Sequence, residues 1–355
     1  MKRIAGILIL LLTVSFLSFS GSHAFELKGF TDVSFTKSTE GADEFRNGDF
    51  AFGTLDLYLA QSLENVEILA ELIVEFGNVL DLERLYLGYA FSDELRLRIG
   101  RLHTPLGVWN TSYHHGVQLQ PTIQRPVFLN FEDDGGIIPT HVVGVYLTGR
   151  TRTTAGVLEY GAMIGNGPKI TSEDEGVTDV LNPNNTSDDN IGKAIAFHAA
   201  ISPAMVDGLK VGLSSHIAEV KSDGNVLPAD AVSVDQTIYG TAITYSTSNM
   251  DIAGEYLAIN DNDELSDNDY DSNAYYGLIT YTFKENWVPY LLYEKMSIKD
   301  DDQYFITLGT EDVTKTTLGL RYNITYRSSL KGEVRSVEKG DSDWNEFAVQ
   351  WALAF

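Results

Sequence analysis

The chain has 355 residues, 25 Lys and Arg against 50 Asp and Glu, a formal net charge of −25 and no cysteine. Without cysteine there is no disulfide scaffold, thiolate zinc site, iron–sulfur cluster or catalytic thiol, and the twofold acid excess works against a nucleic-acid partner, whose polyanion needs clustered Lys and Arg. A hydrophobic content of 43% is ordinary for a folded chain, so disorder does not account for the charge.

At the N-terminus, Lys2 and Arg3 precede an uncharged, mostly apolar run over 4–19, and Ser22-His23-Ala24 places small residues at cleavage positions. This pattern predicts a secretory signal peptide over 1–24 and a mature domain over 25–355. No later stretch reaches the roughly 18 to 20 apolar residues of a membrane-spanning helix. What recurs instead is a segment of apolar residues alternating with polar or small ones, bounded by Asp, Asn, Gly and Ser, which is strand periodicity. In chain order these segments are 26–36, 50–62, 65–76, 81–91, 94–103, 140–149, 153–165, 191–201, 208–220, 235–246, 250–259, 272–283, 287–298, 313–323, 328–338 and 344–355, sixteen in all.

The connections alternate in length. Those after even-numbered segments are short, as at 63–64, 92–93, 149–152, 247–249 and 284–286, whereas 37–49, 104–139, 166–190, 221–234, 260–271 and 299–312 are long. An even strand count with both ends on the short-turn side predicts an all-β fold, a transmembrane antiparallel β-barrel of about 16 strands with long external loops and short periplasmic turns. A long loop that hides a hairpin would make the count 14 or 18. The expected place is the outer membrane of a Gram-negative bacterium, with lipid, lipopolysaccharide and the barrel-insertion machinery as partners. The acid excess follows the same division: 261–271 carries six carboxylates and no base, and 299–312 five against one. The bland reading of these acids, a solvated external face, is preferred to a calcium loop because ordered ligand spacing is missing.

Each strand is expected to put one face in lipid and the other in a polar lumen. A lipid-facing Arg or Lys at mid-depth costs about 2–4 kcal/mol, so Arg84, Arg96, Arg98, Arg321, Lys331 and Arg335 are assigned to the inner wall, with Glu333 among them. In 66–76 the acids Glu67, Glu71 and Glu75 are spaced four apart, which suits a helix face as well as lumenal positions on a strand; the hairpin spacing of the next two segments favours the strand.

The terminal Phe355, preceded at every second position by Leu353, Trp351, Val349 and Phe347, resembles the C-terminal signal by which bacterial outer-membrane proteins are recognised for insertion. The stretch 98–107, Arg-Ile-Gly-Arg-Leu-His-Thr-Pro-Leu-Gly, resembles the strand-to-loop motif of bacterial outer-membrane porins related to the phosphate-selective porins O and P. That resemblance covers about ten residues and the overall layout. It implies that the connection 104–139 folds into the barrel as a constriction, carrying Glu132, Asp133 and Asp134, and that the barrel forms a homotrimer. The connection at 77–80 is too short for an intersubunit latch, which counts against the trimer. Where this chain departs from the phosphate-selective pattern is in having half as many bases as acids.

A sixteen-stranded barrel leaves an aqueous channel, so passive diffusion of small hydrophilic solutes and ions is the expected function. Acids on the loop facing bases on the wall would set a transverse field at the narrowest point, and the acid-rich mouth predicts a weak cation preference. The alternative is a substrate-specific channel for phosphate or organic acids, motivated by the row of wall bases. No enzyme is expected, because no compact His-Asp-Ser arrangement is visible. A sheath around a haem-bearing partner finds no residue in its favour. His103, His114 and His115 lie in or beside the long connection without the spacing of a metal site, and no cofactor or metal is expected.

Overall fold

The computed structural model describes residues 26–39, 45–75, 79–113, 116–130, 136–170, 181–183, 192–221 and 232–355. The signal-peptide assignment, Glu132, Asp133, Asp134, His114 and His115 fall outside these residues, as does the side chain of Glu75.

The wall begins with β1 (Glu26–Ser38), followed by β2 (Asp49–Phe52), β3 (Leu55–Leu63), β4 (Val66–Glu75), β5 (Val79–Ser92) and β6 (Leu95–His103). It continues through β7 (His141–Thr153), β8 (Gly156–Gly165), β11 (Ala194–Pro203), β12 (Leu209–Lys221), β13 (Ser233–Ser246), β14 (Met250–Asp263) and β15 (Asn268–Tyr281). The last strands are β16 (Trp287–Ser297), β17 (Val313–Thr325), β18 (Ser328–Lys339) and β19 (Ser342–Ala354). Two short strands, β9 (Lys169–Ile170) and β10 (Leu181–Asn182), pair only with each other. Because β2 and β3 are consecutive pieces of one wall strand along β1, the wall is a closed antiparallel barrel of 16 strands.

The break between β2 and β3 has a local cause. The buried Asp32 carboxyl passes over Gly53, where any Cβ would lie 1.7 Å from its Oδ1, and Gln350 Nε2 donates to that carboxyl at 2.8 Å. Closure joins β1 to β19 from Phe30↔Ala354 to Ser38↔Glu346. Gly29 and Phe355 then exchange both backbone hydrogen bonds at 3.0 Å, so the last residue completes the seam. No described helix is long and apolar enough to cross a membrane.

Alternation explains the wall. On β19, Phe347 and Trp351 point outward at 50% and 58% exposure, while Ala348 and Ala352, each next in sequence, are fully buried inside. On β5, Leu85, Leu87, Tyr89 and Phe91 are likewise outside, opposite an inner row that includes Arg84 and Tyr86. The acids Glu67 and Glu71 lie on strand β4, not on a helix, and four-residue spacing keeps them on one face.

Two features differ from the sequence reading. The stretch 260–271 is not an open loop: β14 and β15 stay paired from Asn260↔Asp271 to Asp263↔Asn268. Side chains carry that extension, Asn260 Nδ2 donating to Asp271 at 3.1 Å and Asn262 Nδ2 to Asp269 at 2.7 Å, while Asp263 caps the turn by accepting from Leu265 N and Ser266 Oγ, each at 2.8 Å. Second, the inner face is not uniformly polar. On β13 to β16, Ile238, Leu257, Ile259, Ala274, Leu278 and Leu292 point inward and are buried. They are covered by chain inside the barrel: Leu106, Trp109, Phe128, Leu129, Ile137 and Ile138 from the β6–β7 connection, Ile170 and Leu181 from β9 and β10, and Tyr304 and Phe305 from a short helix, α2 (Gln303–Leu308).

Candidate functional site

The connection between β6 and β7 is bolted to the opposite wall through its backbone. Its neck is closed where Thr104 N donates to Thr140 O at 3.0 Å and Asn110 Nδ2 bridges both carbonyls, at 2.9 and 3.1 Å. A helical turn, α1 (Trp109–Ser112), follows Gly107, whose φ of +70° and whose missing Cβ, 1.8 Å from Glu255 Oε2, allow the chain to reach that carboxylate. Buried Glu255 on β14 accepts from Val108 N at 2.9 Å, Trp109 N at 2.6 Å and Tyr276 Oη at 2.6 Å. Trp109 is fully buried, edge-on to Tyr276 at 5.6 Å.

Further along, Lys331 Nζ donates to Val117 O at 2.6 Å and Thr122 O at 2.9 Å, and Arg321 Nη1 donates to Gln120 O at 3.0 Å. Glu333 accepts from Ile123 N and Tyr290 Oη, each at 2.7 Å, and is backed by Arg335, which also reaches Glu346 at 3.0 Å. Glu294 accepts from Val127 N and pairs with Lys315 at 3.0 Å. These contacts satisfy backbone groups of an irregular segment that would otherwise be buried without partners. They also spend the charges: Lys331 and Arg335 are 1% exposed, so a solute does not touch them.

Between this segment and the wall from β5 to β13 lies a cavity of about 620 Å³, the candidate passage. The wall side carries Arg84, Arg96, Arg98, Arg150 and Lys210 with Tyr86, Tyr146 and His198; the segment side offers Val108, Thr111 and Ser112. The carboxylates lining it are Asp93, Glu94 and Glu159. Arg84 is paired with Glu71, which stands behind it fully buried, and its guanidinium lies over the Tyr58 ring at 5.7 Å, with Nη1 3.4 Å from His103 Nδ1. Arg98 is paired with Glu67 and lies over Tyr86 at 5.4 Å. Glu159 accepts from Lys210 at 2.5 Å and lies 3.7 Å from Arg150. Arg96 is exposed in the passage and makes no ion pair among the described residues. Counting Glu67 and Glu71 behind Arg98 and Arg84, bases and acids are equal in number here, although the chain has twice as many acids as bases, and Arg96 is the lining base left without a carboxylate among the described residues.

Of the wall residues expected from sequence, Arg84, Arg96, Arg98, Glu67 and Glu71 gather at the passage, and Arg321, Lys331, Arg335 and Glu333 gather at the bolted segment. The C-terminal row Phe347, Val349, Trp351, Leu353 and Phe355 lies on the outer face, and Trp351 Nε1 donates to Ser328 Oγ at 2.9 Å. Sequence reasoning missed Glu255, Glu294, Lys315 and Lys210, whereas His198 reads as a wall residue from sequence and stands on the wall strand β11. The signal for Glu255 was present: with Asp251 it is one of the two acids in the otherwise uncharged strand 250–259, and it sits at the strand's centre on the lumen-facing side.

A scan against protein-family models finds no match, and a search of curated proteins finds none. Solved structures do match. The chain is similar to the anion-selective porin from Comamonas acidovorans, at 14% identity and TM-score 0.64 over 94% of this chain and 100% of that one. It is also similar to the outer-membrane channel DcaP of Acinetobacter baumannii, at 14% identity and TM-score 0.62 over 95% and 99%. The outer-membrane protein OmpT of Vibrio cholerae matches at 11% identity and TM-score 0.63 over 95% and 99%. At these identities the likeness is one of fold, a barrel shared with outer-membrane porins and channels.

Proposed function

We propose that this protein is an outer-membrane porin through which small hydrophilic solutes and ions diffuse passively, and that anions are favoured in its narrow part. The observation that carries the reading is the passage itself, water-accessible and lined by Arg84, Arg96 and Arg98 across from the hydroxyls of Thr111 and Ser112. Segment 104–140 acts as the constriction, and Glu132, Asp133 and Asp134 remain candidates for its tip. Guanidinium groups stacked over Tyr58 and Tyr86 are held at fixed positions, so an anion that loses water there finds donors already in place. No catalytic step is part of this reading. A homotrimer in the outer membrane of a Gram-negative bacterium, reached through the insertion machinery after removal of 1–24, completes it; a structural neighbour is described as a trimer form.

The cation preference expected from composition rests on the acidic long-loop rim, and the two readings place the deciding charges at different depths. Liposome swelling tests the open pore: liposomes holding the refolded protein should swell in pentose and hexose solutions and much less in trisaccharide, and equal behaviour with protein-free liposomes would contradict it.

A further inference from the structure

Beyond the pore, the long-loop end of the barrel holds a group of buried oxygens. On β14 the outward side chains turn polar at Asn260, and the next inward residue, Asp261, is fully buried. Asp302, immediately before α2, is also fully buried, and its Oδ1 accepts from Tyr304 N at 3.0 Å. Gln236 on β13, the cross-strand partner of Asp261, is 1% exposed and points its amide at Asp261, with Nε2 3.4 Å from Oδ2. Tyr304 is fully buried beside them. The Asp261 and Asp302 carboxyls face each other, as do the Tyr304 hydroxyl and the Gln236 amide, and Asp261 Oδ1, Asp302 Oδ2, Gln236 Oε1 and the Tyr304 hydroxyl make no hydrogen bond of good geometry. Among the described residues neither carboxylate forms an ion pair with a Lys or Arg. The nearby Asp263 differs, because both its oxygens are used by its own turn.

Two carboxyl groups facing each other near buried Val234, Ile259, Phe305 and Val313 need a proton or a cation between them. We propose that Asp261, Asp302 and Gln236 Oε1, with Tyr304 alongside, form a binding site for calcium, which clamps the segment carrying α2 to β13 and β14. All the donors are hard oxygens with no imidazole or thiolate, which suits calcium and not a transition metal. Only two ligands carry charge and water must complete the shell, so the affinity falls in the weak range, a dissociation constant of about 10⁻⁴–10⁻³ M. Burial raises the pKa of the Asp302 carboxyl, so the competing occupant is a proton held by the pair.

The test is calcium binding by isothermal titration and equilibrium dialysis on the refolded full-length barrel in detergent. Asp261→Asn and Asp302→Asn keep shape, and asparagine also retains the cap at position 302. The wild type is expected to take up one more calcium per chain than either variant, while Asp271→Asn, at the exposed rim, keeps that equivalent. Calcium should also raise the unfolding midpoint of the wild type at pH 7.5 and leave that of both Asn variants unmoved, a readout that diffuse rim binding would not give. Equal calcium uptake by wild type and both variants, each shown folded by circular dichroism, would overturn the site. Stabilisation of the wild type by acid in chelator, with no response to calcium, would overturn it too and assign the pair to a shared proton.

Discussion

Replacing Glu255 by alanine is the sharpest probe of how the inward segment is seated. The carboxylate accepts three hydrogen bonds, from Val108 N at 2.9 Å and from Trp109 N and Tyr276 Oη at 2.6 Å each, in a site that excludes water. Hydrogen bonds to a charged group contribute about 1.5–3 kcal/mol each, and the three share one acceptor group, so the sum is not additive. The side chain is therefore expected to hold the start of the segment by about 3 kcal/mol, net of its own burial. At 1.4 kcal/mol per tenfold, its loss lowers the ratio of seated to unseated segment by about a hundredfold. The far end of the segment stays tied by Lys331, Glu333 and Glu294. The expected outcome is a barrel that still folds but whose single-channel current is larger and noisier, because residues 107–113 border the passage. Planar-bilayer recording of Glu255→Ala beside Glu255→Gln, with circular dichroism to confirm folding, is the assay. A folded Glu255→Ala channel with wild-type current and noise would refute the seating argument.

Arg96→Gln should shift the reversal potential toward potassium, since Arg96 has no carboxylate to release; Arg98→Gln should shift it further, because Glu67 is then left unpaired in the same wall. Gly107→Ala should disturb the segment as Glu255→Ala does, by about 1–3 kcal/mol of backbone strain plus the contact of its Cβ with Glu255, read as raised channel noise. Deleting Phe355 removes the two 3.0 Å backbone bonds to Gly29 and should lower barrel stability by about 1–3 kcal/mol, measured by urea unfolding of the refolded protein. An unchanged midpoint would show that the seam does not depend on that residue.

The wall was legible in the sequence because each strand meets two solvents. Phe347, Val349 and Trp351 alternate with Ala348, Gln350 and Ala352, and that pattern fixes both strand and face. It was least informative on β15 and β16, where Leu278 and Leu292 point inward beside outward Ile279 and Leu291. Such strands betray apolar cover inside the barrel, yet nothing in their period says which segment supplies it. The wall bases were legible for the same reason as the wall, through the cost of placing them in lipid. Their partners were not. Arg84 meets Glu71 because the register that begins at Val66↔Tyr89 sets the two directly opposite, and the period of a single strand does not state its register with the next. Lys331 bonds carbonyls 209 and 214 residues away, contacts that the loop's path alone decides. The acids of 261–271 read as solvated, and the cross-strand pairs of Asn260 and Asn262 that extend the hairpin also turn Asp261 inward.

Under the proposed function, the guanidinium groups lining the passage, and not the acidic rim, set selectivity. The reversal potential of the refolded channel in a planar bilayer under a tenfold KCl gradient tests it most directly. Open ohmic steps with chloride more permeant than potassium are predicted; potassium more permeant than chloride, or no conductance from a folded barrel, would contradict it.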